Sequence, residues 1–124
     1  MLVFNNLEEM EPYLDKKTDT YRFDGVVQFC FDLRSDSSIN ARNIKALNID
    51  AANIDAWNIN AWNINARNIK ALDINYYAVC IAYQTFSCRS VRGTRKNAIH
   101  ACLDGEIEYK KMSARDEKGE AADV

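Results

Sequence analysis

From Ser38 onward the chain repeats itself every five residues, and this period restricts the fold more than any other feature. SINAR, NIKAL, NIDAA, NIDAW, NINAW, NINAR, NIKAL and DINYY follow one another in register. Isoleucine stands at Ile39, Ile44, Ile49, Ile54, Ile59, Ile64, Ile69 and Ile74, and Val79 takes the next place. Alanine follows two residues after each, from Ala41 to Ala71, and asparagine precedes most of them, with Asp73 once in its stead. Five residues of α-helix turn through about 500°, so successive isoleucines would form no stripe. A long strand would send alternate isoleucines to opposite faces. A coil of very short strands joined by corners satisfies the period. Within I-x-A both apolar side chains face inward, and the other three residues face out or turn the corner.

These pentads resemble the pentapeptide-repeat family, whose members form a right-handed, four-sided β-helix with one repeat per side. The resemblance covers about 40 of the 124 residues. That family places a small residue two positions before its central large one. Here that slot holds Arg42, Leu47, Ala52, Trp57, Trp62, Arg67 and Leu72, and tryptophan does not fit inside so narrow a coil. The frame is therefore shifted, with Ile in the small slot and Ala in the large one. A three-sided coil stays open beside the four-sided one.

Four sides make residues twenty apart into neighbours. Arg42 would then lie by Trp62, Trp57 by Tyr77, Asp50 by Lys70 and Leu47 by Arg67. Asn43 over Asn63 and Asn48 over Asn68 would form amide ladders. Eight pentads make about two such coils, a stub that needs caps at both ends.

The flanks read as those caps. Asn6 with Glu9 three residues later is a capping-box-like helix start, interrupted or restarted at Pro12, and Thr18–Tyr21 is a turn. Val27, Phe29, Phe31 and Leu33 alternate on one face of a strand that feeds the coil. Tyr76–Tyr83 continues the coil with larger side chains, Phe86–Val91 gives a short strand, and Leu103–Tyr109 a terminal strand or hairpin turning at Asp104-Gly105. The resulting organisation is 1–37 helix and capping strand, 38–77 solenoid, 78–111 C-terminal β cap, and 112–124 a loose tail. The fold class is mostly β: a short right-handed solenoid of five-residue repeats, capped by an N-terminal helix and C-terminal strands.

The net charge of −2 gives no general pull toward nucleic acid or membrane, but its distribution is uneven. Residues 1–37 carry eight acids and four bases, whereas residues 78–124 carry eight bases and seven acids. No apolar run approaches the roughly 18 residues that span a bilayer. The N-terminus turns acidic at Glu8 and Glu9, unlike a signal peptide, so a cytosolic location is expected. Cys30, Cys80, Cys88 and Cys102 then read as reduced, buried thiols.

Candidate chemistry is sparse. No nucleotide-binding, zinc-protease or hydrolase motif is present, and a single histidine leaves acid–base work to carboxylates in no recognisable arrangement. No catalytic residue, cofactor or metal site is assigned. Cys80, Cys88, His100 and Cys102 have no usual zinc spacing, and a Cys102–His100 nucleophile pair lacks an oxyanion hole and an orienting acid. Two features point to binding instead. Trp57 and Trp62 face outward in either frame, as a binding face, a dimer contact, or rings packed beneath the N-terminal helix. Arg89, Arg92, Arg95 and Lys96 are four cations within eight residues; they either grip phosphates beside Tyr83 or Phe86, or form a solvated loop paired with Asp104, Glu106 or Glu108. The acids Glu8, Glu9, Glu11, Asp15 and Asp19 keep a helix soluble or imitate a phosphate backbone.

The flanks carry a second resemblance. An N-I-x-A-x run ending at Tyr76–Tyr83, then Cys88–Gly93 and Leu103–Ile107, is similar to small uncharacterised proteins of gut bacteria and their phages. That likeness implies a protein of mobile elements. With the DNA imitation practised by pentapeptide-repeat proteins, it implies a non-enzymatic inhibitor of a host nucleic-acid-acting enzyme such as a nuclease or topoisomerase, including anti-CRISPR action. The alternatives are a self-assembling structural solenoid, dimeric or filamentous, and a nucleic-acid binder acting through Arg89–Lys96.

Overall fold

Isoleucine and alanine two residues apart share one face of a strand, and in the computed structural model both line the interior of a parallel β-solenoid of about five turns. The structure describes residues 1–110. Ile39, Ile44, Ile54, Ile59, Ile64, Ile69 and Ile74 are each at most 1% exposed; Ala41, Ala51, Ala56, Ala61, Ala66 and Ala71 are buried, and Ala46 is partly buried. Each such isoleucine removed from water contributes about 1.5–3 kcal/mol.

The strands run in chain order. β1 is Leu2–Phe4, β2 Leu14–Asp15, β3 Thr20–Arg22, β4 Val26–Phe29, β5 Leu33–Arg34 and β6 Ser38–Lys45. The long β7 (Asn48–Lys70) and β8 (Asp73–Cys88) bend round the corners, followed by β9 (Ser90–Gly93), β10 (Ile99–Cys102) and β11 (Glu108–Tyr109). The pairing of β2 with β3 is antiparallel; among the described residues every other strand pair is parallel.

The coil has three sides. Ile39 pairs with Ile54, Ile44 with Ile59 and Ile59 with Ile74, so the stacking step is fifteen residues, three pentads. The twenty-residue neighbours of the four-sided reading are therefore wrong. Arg42 lies over Trp57, not Trp62, and Tyr77 packs against Trp62, not Trp57. The hydrogen-bond register decides the count: the isoleucine pairs and the asparagine side-chain ladders both step by fifteen residues, which closes the coil after three pentads.

Away from the repeat the coil widens. Tyr21 pairs with Ile39, Val27 with Ile44 and Leu33 with Ile49, so these core positions recur every six residues. The same spacing returns after the repeat, with Ile59 on Ile74, Ile64 on Cys80 and Ile69 on Phe86. The slot two residues later, alanine in the repeat, becomes Phe23, Phe29, Tyr76 and Cys88, all buried. One extra residue per side makes room for larger side chains. Cys80 rather than Val79 therefore takes the isoleucine slot; Val79 pairs with Asn63 and is 37% exposed.

The caps differ in detail from the expected ones. Leu7–Tyr13 forms a single 3-10 helix of seven residues that runs through Pro12. Asn6 accepts a hydrogen bond from the Glu9 amide at 3.0 Å, and Glu9 accepts one from the Asn5 amide at 2.7 Å. This reciprocal cap sits one residue off the standard box. The helix packs on β1 and β3, over an aromatic cluster in which Phe4 meets Tyr13, Phe23 and Phe29. Thr20 and Tyr21 belong to β3, not to the turn before it, and the expected strand through Phe31 breaks at a corner between β4 and β5. Phe86–Val91 is likewise split by a corner at Arg89. Leu103–Tyr109 is no hairpin: after the turn, β11 pairs parallel to β8. The tail expected at 112–124 lies outside the described residues.

Candidate binding face

Three sides give three faces and three corners, and the sequence sorts their side chains unequally. One face has the central column Gln28, Lys45, Asn60, Asn75 and Arg92, each paired in register with the next. Gln28 is half-buried and the other four are exposed. On a second face Arg34 pairs with Asp50, and Asn65 with Ile81. On the third, Arg22 pairs with Asn40, Asn40 with Asp55, Lys70 with Ser87 and Ser87 with Glu108. Only the first central column lacks an acid among the described residues.

The two corners bordering this face carry the aromatics. Leu72 donates its amide to the Trp57 carbonyl at 2.8 Å, and Arg89 its amide to the Leu72 carbonyl at 2.8 Å, so Arg42, Trp57, Leu72 and Arg89 rise along one corner. The Arg42 guanidinium lies 4.8 Å from the Trp57 ring centre and half covers it. At the other corner the Trp62 amide donates to the Leu47 carbonyl at 2.9 Å and the Arg95 amide to the Tyr77 carbonyl at 2.9 Å. The Trp62 and Tyr77 rings lie 5.7 Å apart, and Trp62 is 56% exposed. Two shallow grooves of about 370 Å³ each flank the central column: one between it and the Asn43–Asn58 ladder, the other toward Leu47 and Trp62.

Three amide ladders stiffen the coil. Asn58 donates to Asn43, Asn63 to Asn48 and Asn68 to Asn53, each at 2.7 Å. Asn48 continues to Asp32 and Asn53 to Ser38, both at 2.8 Å, and the Thr85 hydroxyl donates to Asn68 at 2.8 Å. Every one of these side-chain amides donates toward the N-terminal end, so the ladders form polarised chains. Sequence reasoning anticipated such ladders, but at a step of twenty instead of fifteen.

Of the residues singled out in the sequence, Trp57, Trp62, Arg89, Arg92 and Arg95 come together around this one face. Lys96 follows Arg95 in the exposed turn 94–98. The rings are not beneath the N-terminal helix, because they stand at the coil corners against Arg42 and Tyr77. Arg89 is bound to Asp73, through its Nε at 3.0 Å and more closely through a second nitrogen. Those bonds, with one from Ser90, hold the Asp73 carboxyl below its ordinary range despite partial burial. Sequence reasoning missed Lys45, Asn60, Asn75 and Tyr77. The signal was present, since a fifteen-residue step from Lys45 leads directly to Asn60 and Asn75.

Two further side-chain hydrogen bonds tie the last coils together. Tyr76 Oη is hydrogen-bonded to Nδ1 of His100 at 2.6 Å, and Cys102 Sγ donates to the Gln84 carbonyl at 3.3 Å. Burial pushes the Cys80 thiol well up and the Cys88 thiol to about 11, values at which neither is a nucleophile near neutral pH. Cys30 departs from the expected burial: it is exposed at a corner. Among the described residues no three His, Cys, Asp or Glu groups could hold a metal ion, and no helix is long and apolar enough to cross a membrane. Protein-family models, curated proteins and solved structures were each compared with the chain, and none matches it.

Proposed function

We propose that this protein is a non-enzymatic binding module that docks a protein partner on the face with the acid-free central column, edged by Trp57, Trp62 and Tyr77. The observation that carries the reading is the exposed, tilted Trp62–Tyr77 ring pair beside Lys45, Asn60, Asn75 and Arg92 on a rigid sheet. Aromatics and arginine dominate binding energy at protein interfaces, and a sheet stiffened by amide ladders loses little entropy on docking. The partner class follows from the resemblance to small phage and gut-bacterial proteins: a host enzyme acting on nucleic acid, a nuclease or topoisomerase, held inactive in the manner of an anti-defence or anti-CRISPR inhibitor. Tagged protein drawn through a gut-bacterial lysate, with and without nuclease treatment, tests this. The proposal expects stoichiometric capture of such an enzyme that survives nuclease, inhibits it when purified, and is lost with Trp62→Ala. Recovery of no partner, or of one indifferent to Trp62, contradicts it.

A second reading has its own observation. Ile99, Leu103 and Tyr109 are 57–59% exposed at the C-terminal end of the solenoid, beside the outermost strands. Open, apolar sheet ends favour self-assembly, as a homodimer or filament, and a concentration-dependent solution mass would support it.

A further inference from the structure

The same face has a composition that suits a second kind of ligand, and this does not rest on the protein-partner reading. Its central column places Lys45 and Arg92 three coil steps apart, roughly 14 Å at the sheet spacing, with the amides of Asn60 and Asn75 between them. Arg95 and Lys96 follow at the corner above Tyr77 and are exposed. The acids at its border are Asp73, engaged by Arg89 and Ser90, Asp24 at its N-terminal foot, beside the Gly25 carbonyl that accepts from the Arg42 amide, and Asp32, which accepts from the Asn48 side chain beyond the Leu47 corner. In a chain of net charge −2, this segregation of cations is a local positive field of the kind that attracts a polyanion.

We propose that this face binds single-stranded nucleic acid. Phosphates would lie over Lys45, Arg92, Arg95 and Lys96, and bases would stack on the open side of the Trp62–Tyr77 pair. Asn60 and Asn75 offer both donors and acceptors to whatever base edge or sugar lies above them. A single strand is favoured over a duplex by shape. The face is flat and roughly 10 Å across, three strand residues wide, and presents no helix or ribbon that could enter a groove. Exposed aromatic rings beside a cationic track are the recurrent means of holding unpaired bases without regard to sequence.

Fluorescence anisotropy of a labelled oligothymidylate of roughly twenty nucleotides, titrated with the full chain at low and rising salt, tests the proposal. Binding should weaken linearly in log–log with salt. The combined change Lys45→Glu, Arg92→Glu, Arg95→Glu should weaken it more than about tenfold and flatten the salt slope by about 0.7 for each phosphate no longer neutralised. Trp62→Ala should weaken it by about five- to a hundredfold, because the bases have one ring fewer to stack on. Lys70→Glu, on another face, should leave it within about twofold. Arg89 is left intact because it holds Asp73. A native circular-dichroism spectrum and thermal transition for each variant keep the comparison about binding. No binding at low salt by folded protein overturns the proposal, as does equal weakening by Lys70→Glu or equal affinity for a matched duplex. Capture of a nuclease-resistant protein partner with no oligonucleotide binding would overturn it while leaving the protein-docking proposal standing.

Discussion

The ring of Tyr76 fills the space into which any side chain at position 93 would project: a Cβ built on Gly93 would lie 2.7 Å from the Tyr76 Cζ and closer still to the Ala98 Cβ. Tyr76 pairs with Gly93 in register and is 2% exposed. The close of the solenoid therefore depends on a bare backbone beneath an aromatic ring. Gly93→Ala should destabilise the protein by about 1–3 kcal/mol through overpacking, measured by urea denaturation. Gly105→Ala, where a Cβ would meet nothing within 4 Å, should be milder. Equal effects at the two glycines would contradict this packing account.

The amide ladders make a graded prediction. Asn48 both donates to Asp32 and accepts from Asn63, so Asn48→Ala removes two hydrogen bonds and should cost about 1–3 kcal/mol. Asn60→Ala, on the exposed column between Lys45 and Asn75, should stay within about 0.5 kcal/mol. Denaturation midpoints of the two variants check the contrast.

Acid should unfasten the corner held by Asp73. Its carboxyl is held below the ordinary carboxylate range, chiefly by its hydrogen bonds to Arg89. A group with a depressed folded pKa contributes stability that is fully present above the unfolded value and is lost as pH falls through the folded one. Stability measured from about pH 6 down to about pH 2 should therefore fall, and Asp73→Asn should be less stable than wild type at neutral pH, with a gap that closes in acid. A gap that stays constant across the range would count against the Asp73–Arg89 pair as a stabilising interaction.

Thiol titration distinguishes the cysteines. Cys30 is exposed, whereas Cys80, Cys88 and Cys102 are buried. A chromogenic disulfide reagent should label one of the four thiols quickly in the native state and the rest only on unfolding. Cys30→Ser should abolish the rapid phase.

The five-residue period made the solenoid, its inward Ile and Ala, and its outward tryptophans legible from sequence, because side-chain volume and polarity fix which positions can face a thin core. The number of sides was not legible. Identical pentads look alike at every multiple of five, so the repeat itself holds no record of whether Ile39 meets Ile54 or Ile59. The pairing of Trp62 with Tyr77 and the convergence of Lys45, Asn60 and Asn75 on one face were hidden for the same reason. In the flanks the obstacle was different. Tyr21, Val27, Leu33 and Ile39 continue the coil at a spacing of six, as do Ile74, Cys80 and Phe86. Their mixed side chains disguise a period that the buried positions share. Val79 drew the isoleucine slot by counting fives, where Ala78 had already added a residue at the corner.

The face depends on the fifteen-residue coil, and disulfide trapping tests that step most directly. In a Cys30→Ser background, Lys45→Cys with Asn60→Cys places two thiols on adjacent, paired strand positions, within the reach of a disulfide. Lys45→Cys with Asn65→Cys, twenty residues apart, places them on different faces. Mild oxidation followed by peptide mapping should join 45 to 60 readily and 45 to 65 not at all. Efficient 45–65 linkage without 45–60 would contradict the three-sided coil, and with it the face that gathers Lys45, Trp62, Tyr77 and Arg92.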